Sequence, residues 1–223
     1  MKRFLIACFV LLVGCAHAPT AVSNPEGLRD KMSMAGQGKA RLEIGSESWV
    51  FSFDAGFPVP DRWVMAMRIP LQGEEVFAFD GLAEAVPPPP GEGDFRARVV
   101  QALRHTSDER KLGYPQAGQD FVRALHRLLA LLRPAGRVAM TCREVVADGW
   151  SCLHAGQVSR WFWDARKSEA RIEFALRGNW RMAAHFKNLT APVFERVTLE
   201  VIRRAEETDH VELRQELFFQ TRH

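Results

Sequence analysis

Apolar and polar residues alternate along much of this chain, and a period of two is typical of β-strands with one buried face. In the first half the alternation runs through residues 39–44 and 49–53, and residues 63–69 and 75–80 form two further apolar runs. Glycine and proline separate these runs, most clearly at residues 56–60, where a turn is predicted. The pattern predicts an antiparallel meander.

The last third of the chain has the same character. Strands are predicted there at residues 138–146, 150–154, 158–163, 170–177, 180–186, 194–202 and 211–219. Trp161 and Trp163 fall on one face of their strand. Residues 203–209 are highly charged and predict a solvated hairpin loop before the last strand.

Helical periodicity interrupts the strand pattern in the middle of the chain. Residues 120–133 have one broad apolar face and end before Pro134, and residues 94–105 predict a shorter amphipathic helix. His126 adjoins the apolar face and is interpreted as a boundary residue, not a ligand. The four prolines at 87–90 favour a rigid connection, with polyproline recognition as a second interpretation.

The first 15 residues, MKRFLIACFVLLVGC, have the layout of an export signal. Lys2 and Arg3 precede an apolar run that is too short to span a bilayer as a mature helix. The run ends in Gly14-Cys15 and resembles the lipobox of bacterial lipoproteins, which implies cleavage before Cys15 and lipidation of that residue. An ordinary secretory signal or an N-terminal membrane anchor are the alternatives.

Three parts are predicted: a signal peptide at 1–14, a lipidated N-terminus with a flexible tether at 15–37, and a folded domain at 38–223. A short helix at residues 28–34 is the alternative for the last part of the tether. Ala16 follows the cysteine where an aspartate would imply retention at the inner membrane. The resemblance therefore implies a protein anchored in the outer membrane and facing the periplasm.

Charge excludes one class of partner. The chain has 30 Lys and Arg residues against 27 Asp and Glu, and loss of Lys2 and Arg3 with the signal leaves 28 against 27. A nearly neutral domain without an arginine-rich block lacks the electrostatic field that holds nucleic acid.

Cys142 and Cys152 are the cysteines of the predicted domain, and an oxidising periplasm favours a disulfide between them. They flank the turn dipeptide Asp148-Gly149. A two-residue turn there would pair Val145 with Cys152, so direct pairing of the cysteines needs a wider loop, over roughly 145–149. Two free buried thiols are the alternative.

Catalytic chemistry is not indicated. The chain has no Gly-x-Ser-x-Gly, no His-Glu-x-x-His and no glycine-rich phosphate loop, and its seven histidines are scattered singly. Two lone sulfurs without a nearby histidine pair make a poor metal site. We therefore expect no enzymatic activity, no metal and no cofactor.

Aromatic content is the remaining signal, with six Trp and fifteen Phe but a single Tyr. A filled core and an apolar cavity lined by the same face have the same sequence period, and the pattern leaves both open. A cavity would have the helix at 120–133 as its lid.

Several short motifs resemble the LolA/LolB family of periplasmic lipoprotein carriers and outer-membrane receptors, and the lipobox matches the receptor branch. These motifs are residues 38–42 (GKARL), 69–73 (IPLQG) followed by Val76 and Phe77, 179–182 (NWRM), and Pro192 with Val197 and Leu199. The resemblance covers most of residues 38–220 in element order. The proline run and the cysteine pair depart from the family pattern, and the helical insert looks longer.

The resemblance implies an α+β fold, in which an antiparallel sheet is curved into an open half-barrel with helices covering the mouth. It also implies a cavity that binds acyl chains, for which the candidate lining residues are Trp49, Phe51, Phe53, Trp63, Phe77, Phe79, Leu125, Leu129, Trp161, Trp163 and Phe174. Leu71 matches the exposed residue that helps to pass cargo into the membrane, although a buried turn leucine is an equal alternative.

The function implied is binding of acyl chains and the receipt or insertion of lipoproteins or lipids at the membrane. The expected partners are the membrane, through the lipidated N-terminus, acyl chains, and a periplasmic carrier protein; a monomer is expected. The alternative is a non-transporting envelope lipoprotein whose sheet serves as a protein-interaction module.

Overall fold

The computed structural model describes residues 25–32, 34–44, 47–69, 73–83, 114–133, 139–146, 149–154, 156–189, 196–205 and 208–220. In chain order the elements are α1 (Pro25–Arg29), β1 (Gly36–Ile44), β2 (Glu47–Val59), β3 (Arg62–Ile69), β4 (Gly73–Phe79), α2 (Tyr114–Leu132), β5 (Thr141–Val146), β6 (Gly149–His154), β7 (Gln157–Asp164), β8 (Glu169–Ala175), β9 (Trp180–Lys187), β10 (Arg196–Ala205) and β11 (Thr208–Phe219).

The strands form one antiparallel sheet in the order β4-β3-β2-β1-β11-β10-β9-β8-β7-β6-β5. Strands that are consecutive in the chain pair with each other on both sides, and β1 pairs with β11 at the junction of the two halves. The sheet is not closed: β4 and β5 are its two edges. The chain passes from one edge to the other through the segment that contains α2. The antiparallel, open sheet expected from the sequence is therefore confirmed.

One face of the sheet, which we call the inner face, carries the apolar members of the alternating pattern. In β11 the residues Leu213, Gln215, Leu217 and Phe219 are buried, whereas Phe218, which lies between the last two, is 39% exposed. Because successive side chains on a strand point to opposite faces, this alternation puts one side of each strand in the core.

Helix α2 begins at Tyr114, six residues before the predicted start at residue 120. Pro115 in the first turn is compatible with this start, because the first amide groups of a helix have no partner within the helix. The buried positions of α2 are Phe121, Val122, Ala124, Leu125, His126, Leu128, Leu129, Ala130, Leu131 and Leu132. His126 is fully buried and so is not at the boundary of the apolar face, as the sequence had suggested.

The structure places the last part of the segment interpreted as a tether in the folded domain. Residues Leu28, Met32 and Met34 are buried in the core, and β1 begins at Gly36. These three side chains lie in the main apolar cluster of the domain. The folded domain therefore extends back at least to Pro25, because burial of its few large apolar residues outweighs the polar composition of the segment.

Two turns are shorter in the structure than the sequence pattern predicts. β2 continues through residues 56–59, with a register irregularity between Gly56 and Val59, so the turn narrows to residues 60 and 61. β10 and β11 extend through most of the charged segment 203–209, where Arg204 pairs with Asp209 in the ladder. Exposed strands tolerate charged residues, which explains why charge alone did not mark a loop. The helix predicted at 94–105 and the proline run lie outside the described residues.

Candidate functional site

The inner face of the sheet is apolar across both halves. One register row across seven strands consists of Phe51, Ala40, Leu217, Val197, Phe186, Ala170 and Trp163. Every member of this row is buried. The row crosses the β1–β11 junction without interruption, so the two halves of the sheet present one continuous apolar surface.

Helix α2 spans this face between two turns of the sheet. Near its first third, Asp120 accepts a hydrogen bond at 3.2 Å from the backbone N–H of Arg177, which follows β8. Just after its end, Arg133 lies 3.9 Å from the carboxylate of Asp61 in the β2–β3 turn. Between them, His126 Nε2 lies 3.1 Å from the carbonyl oxygen of Gly81, which follows β4. These three contacts fix the direction of the helix relative to the strands.

A small cavity of about 20 Å³ remains between α2 and the sheet. Its walls are Met34, Leu42, Phe51, Trp63, Met65, Met67, Phe77, Phe79, Leu125, Leu199, Gln215 and Leu217. A ligand pocket for a drug-sized molecule has roughly 300–1,000 Å³, so this space is large enough for about one water molecule. In this conformation the apolar side chains of α2 and of the strands fill the inner face.

Five of the predicted cavity residues line this space: Phe51, Trp63, Phe77, Phe79 and Leu125. Others are buried in the core but do not line it, namely Phe53, Leu129, Trp161, Trp163 and Phe174. Trp49 is 39% exposed and lies near the start of β2. The alternation pattern identified the correct face but could not show which part of the face is empty.

Sequence reasoning missed the methionines of the lining. Met65 and Met67 share the inner face with Trp63, whereas Val64 and Ala66 are only partly buried. The period of two within residues 63–67 would have found them, but an apolar run on both faces concealed it. Met34 was missed because it lies in the segment interpreted as a tether.

A disulfide between Cys142 and Cys152 joins the edge strand β5 to its neighbour β6. The two cysteines are direct partners in the antiparallel pairing. The sequence required a wider loop for this pairing, but the structure achieves it with a register shift between Glu144 and Val146. A bulge adds one residue to one strand. It therefore moves the Cys142 side chain to the other face of the sheet, the face of Cys152, without lengthening the turn.

Two successive hydrogen bonds link Trp161 to the backbone of Cys152, one of the two disulfide-bonded residues. The indole Nε1 of Trp161 donates to Ser159 Oγ at 2.8 Å, and this hydroxyl donates to the carbonyl oxygen of Cys152 at 3.4 Å. Trp161 is fully buried, and its polar atom is satisfied within the strand pair. The orientation of this tryptophan is therefore fixed by polar contacts as well as by packing.

The outer face carries ion pairs between neighbouring strands. Glu200 accepts a hydrogen bond from Arg214 Nε at 2.8 Å, and its other oxygen lies 3.5 Å from His185 Nε2. The hydrogen bond with His185, together with that from Arg214, lowers the pKa of Glu200 to about 2 despite partial burial. Glu200 in turn raises the pKa of Arg214. This face is polar and contrasts with the inner face.

The described residues contain no group of three or more His, Cys, Asp or Glu side chains that could hold a metal ion. Within the same part of the chain, no helix combines the length and the apolar character needed to cross a membrane.

Two predicted sites lie outside the described residues. Cys15 precedes the first described residue, and Leu71 lies between the end of β3 and the start of β4. Their roles in lipidation and membrane insertion remain predictions.

No protein-family model matches the chain, and neither a curated protein nor a solved structure is significantly similar to it.

Proposed function

We propose that this chain is a lipoprotein, anchored in the outer membrane through Cys15, that binds acyl chains on the inner face of its sheet. There it receives or inserts lipoproteins or lipids at the membrane. The observation that carries the proposal is the continuous apolar inner face, crossed by a helix whose apolar side chains occupy the space that an acyl chain would take.

Binding requires α2 to move, because the cavity of about 20 Å³ is too small for an acyl chain. This movement breaks the polar contacts at the ends of α2. Asp61 and Arg177 are exposed but their partners Arg133 and Asp120 are largely buried, so these pairs contribute more than the roughly 0–1 kcal/mol of a fully exposed pair. Met34, Met65 and Met67 line the cavity, and unbranched methionine side chains adapt readily to a changed ligand shape. In this proposal α2 covers the mouth of the half-barrel.

Such a site needs no catalytic group. An acyl chain that replaces α2 on the inner face would bury apolar surface, worth roughly 25 cal/mol per Å². The cargo would come from a periplasmic carrier protein and would leave for the membrane, as the resemblance to the LolA/LolB receptor branch implies.

The test is binding of a fluorescent 16-carbon fatty acid and of a triacylated lipopeptide to the purified protein. Leu42→Trp fills the cavity from the side of the sheet, where a bound chain still meets it after α2 has moved. It should weaken binding about tenfold or more, because loss of contact with two methylenes alone removes roughly 1.6 kcal/mol. Gln119→Trp adds the same side chain at an exposed position of α2 and should leave affinity unchanged. Native mass spectrometry of the protein extracted from a bacterial envelope should show a co-purifying lipid or acylated peptide.

Failure of the wild-type protein to bind either ligand would favour the interaction module. One observation supports that second candidate: Leu153 and Val158 are direct partners across β6 and β7 and are 48% and 53% exposed. A photo-crosslinker at Leu153 should then trap a specific envelope protein, and the same probe at Val76 of β4, which is 59% exposed, should not.

A further inference from the structure

The side chain of Gln215 in β11 is polar but lies on the apolar inner face. Its Cα partners are Leu42 of β1 and Leu199 of β10, and direct partners in an antiparallel sheet point to the same face. The register row through Gln215 crosses seven strands, from β2 to β7, and its other members are Trp49, Leu42, Leu199, Ala184, Ile172 and Trp161. The row therefore places one carboxamide among hydrocarbon groups.

Gln215 also lines the small cavity between the sheet and α2. The other described lining residues are methionines, leucines, phenylalanines and Trp63, so none of them has an ionisable side chain. The indole N–H of Trp63 already donates to the Met34 carbonyl oxygen at 2.7 Å. The carboxamide of Gln215 is therefore the lining group that has hydrogen bonds left to offer to an occupant.

Burial makes this carboxamide costly in the free protein. Gln215 is only 9% exposed, and its neighbours along β11 on the same face are Leu213 and Leu217. Among the described residues, none forms a hydrogen bond with its carboxamide. An amide buried without a partner destabilises the folded state, whereas a methionine of similar shape would not. The glutamine becomes favourable when a ligand supplies the partner.

The carboxamide defines which polar group a ligand should bring. It offers two N–H donors and one carbonyl acceptor, and the hydrocarbon part of an acyl chain can pair with neither. The carbonyl oxygen that links the chain to its head group can accept from the N–H. An ionised carboxylate could accept too, but the described lining has no cation to neutralise it, and burial of an unpaired charge costs far more than burial of a carbonyl.

The cavity lining also gives a direction for the chain. Gln215 and Leu199 form the lining at β11 and β10, whereas Met65 and Met67 belong to β3 and Phe77 to β4. β3 lies three strands from β11, which is roughly 14 Å at 4.8 Å per strand. A chain whose linkage stays at Gln215 would run across the strands toward the adaptable methionines.

We propose that Gln215 determines the specificity of the acyl site by donating a hydrogen bond to the carbonyl oxygen of an ester- or amide-linked acyl chain. This inference rests on the acyl binding of the proposed function. The ligand class is then a neutral acyl linkage, as in a glycerolipid or a lipopeptide, and the ionised head of a free fatty acid gains nothing from Gln215.

The test compares two lysophosphatidylcholines that have the same head group and the same 16-carbon chain. One carries the chain as a palmitoyl ester, and the other carries it as a hexadecyl ether, which lacks the carbonyl. In titration calorimetry with monomeric lipid, the purified protein should bind the ester about fivefold more tightly, the ratio that corresponds to a hydrogen bond of roughly 1 kcal/mol. A peptide with an amide-linked palmitoyl chain and free palmitate complete the set.

Gln215→Met replaces the carboxamide by an apolar side chain of similar shape. The variant should bind the ester and the ether equally, and its affinity for palmitate should match that of the wild type. The larger loss of affinity, for the ester lipid or for the palmitoyl peptide, identifies the source of the natural linkage. The free variant should melt about 2–4 °C higher, because the unpaired amide is gone.

Leu213→Met is the matched control. It introduces the same side chain two residues away on the buried face of β11, but Leu213 does not line the cavity. This variant should keep the preference of the wild type for the ester.

Equal affinity of the wild type for the ester and the ether would overturn this inference and leave the proposed function intact. An ester preference that persists in Gln215→Met would overturn it as well. A lower melting temperature of that variant would do the same, since the carboxamide would then be paired in the free protein. If the wild type binds none of these lipids, the proposed function fails together with this inference. The comparison of ester and ether in the wild type stands even if Gln215→Met does not fold.

Discussion

Trp63 and Met34 are 29 residues apart in the sequence, yet the indole of Trp63 donates a buried hydrogen bond of 2.7 Å to the Met34 carbonyl oxygen. This bond joins the residues just before β1 to the start of β3. The bond explains why a segment with little periodicity belongs to the folded domain. Trp63 supplies a donor to a buried backbone carbonyl of the segment, while apolar neighbours bury the side chains of the segment.

Trp63→Phe should destabilise the domain by about 1–3 kcal/mol, since the Met34 carbonyl loses its donor while it stays buried. Urea unfolding followed by circular dichroism measures the change, and hydrogen exchange should show lower protection in residues 25–34. The control is Trp49→Phe at a position that is 39% exposed, which should change stability by no more than about 0.5 kcal/mol. Equal unfolding midpoints for both variants would contradict the role of this bond.

Glu200 should make stability dependent on acidic pH. Its folded pKa of about 2 lies below the ordinary value of 4.5, so its contribution is complete above about pH 4.5 and is lost as the pH falls toward 2. Glu200→Gln should remove that part of the pH dependence and should cost roughly 1–3 kcal/mol at neutral pH after allowance for solvent screening.

The measurement for Glu200 is urea unfolding at several pH values between 2 and 7. Glu74→Gln is the matched control, because Glu74 pairs with Arg68 at an exposed site of β4 and should contribute about 0–1 kcal/mol. A wild-type pH profile that the Gln variant reproduces would refute the assignment to Glu200.

Loss of the disulfide should cost about 2–3 kcal/mol, as the chain-entropy model gives for a closed loop of about ten residues. The variant is Cys142→Ala combined with Cys152→Ala, and the measurement is urea unfolding with and without reductant. Wild-type protein in reductant should unfold at the midpoint of the double variant. If reductant does not move the wild-type midpoint, the bond is absent in the protein as purified.

Cys15→Ala should release the protein from membranes, because the acyl chains that anchor it are attached at this residue in our proposal. Fractionation of cells and metabolic labelling with a clickable palmitate analogue measure the change. Cys8→Ala alters the other cysteine of the export segment and should leave both membrane retention and labelling intact. Retention of Cys15→Ala in the membrane fraction would argue against lipidation at this position.

Much of the sheet could be predicted because alternation is a local property. Leu213, Gln215 and Leu217 take the buried side of β11, and the same period places Trp161 and Trp163 inward on β7. The strand order could not be derived in this way. The pairing of β1 with β11 joins residues such as Gly38 and Phe219, which no short-range pattern relates.

The candidate site was predicted less completely than the fold. Phe51, Phe77 and Leu125 line the cavity as expected, but Trp161 and Phe174 belong to filled parts of the same face. Core and cavity residues have one sequence period, and the difference depends on how closely α2 packs over each region. The position of Met34 depends on long-range packing in the core and on the hydrogen bond from Trp63, neither of which sequence periodicity encodes.

The β1–β11 junction has a consequence for the order in which the protein is built. Strands β1–β4 can pair as soon as they are synthesised, because each hairpin joins neighbours in the chain. The free side of β1 finds its partner only when residues 213–219 have emerged. Until then β1 is an open strand edge that can pair with other chains. A truncation within β11 should therefore lead to aggregation of the nascent protein, even though the first four strands remain intact.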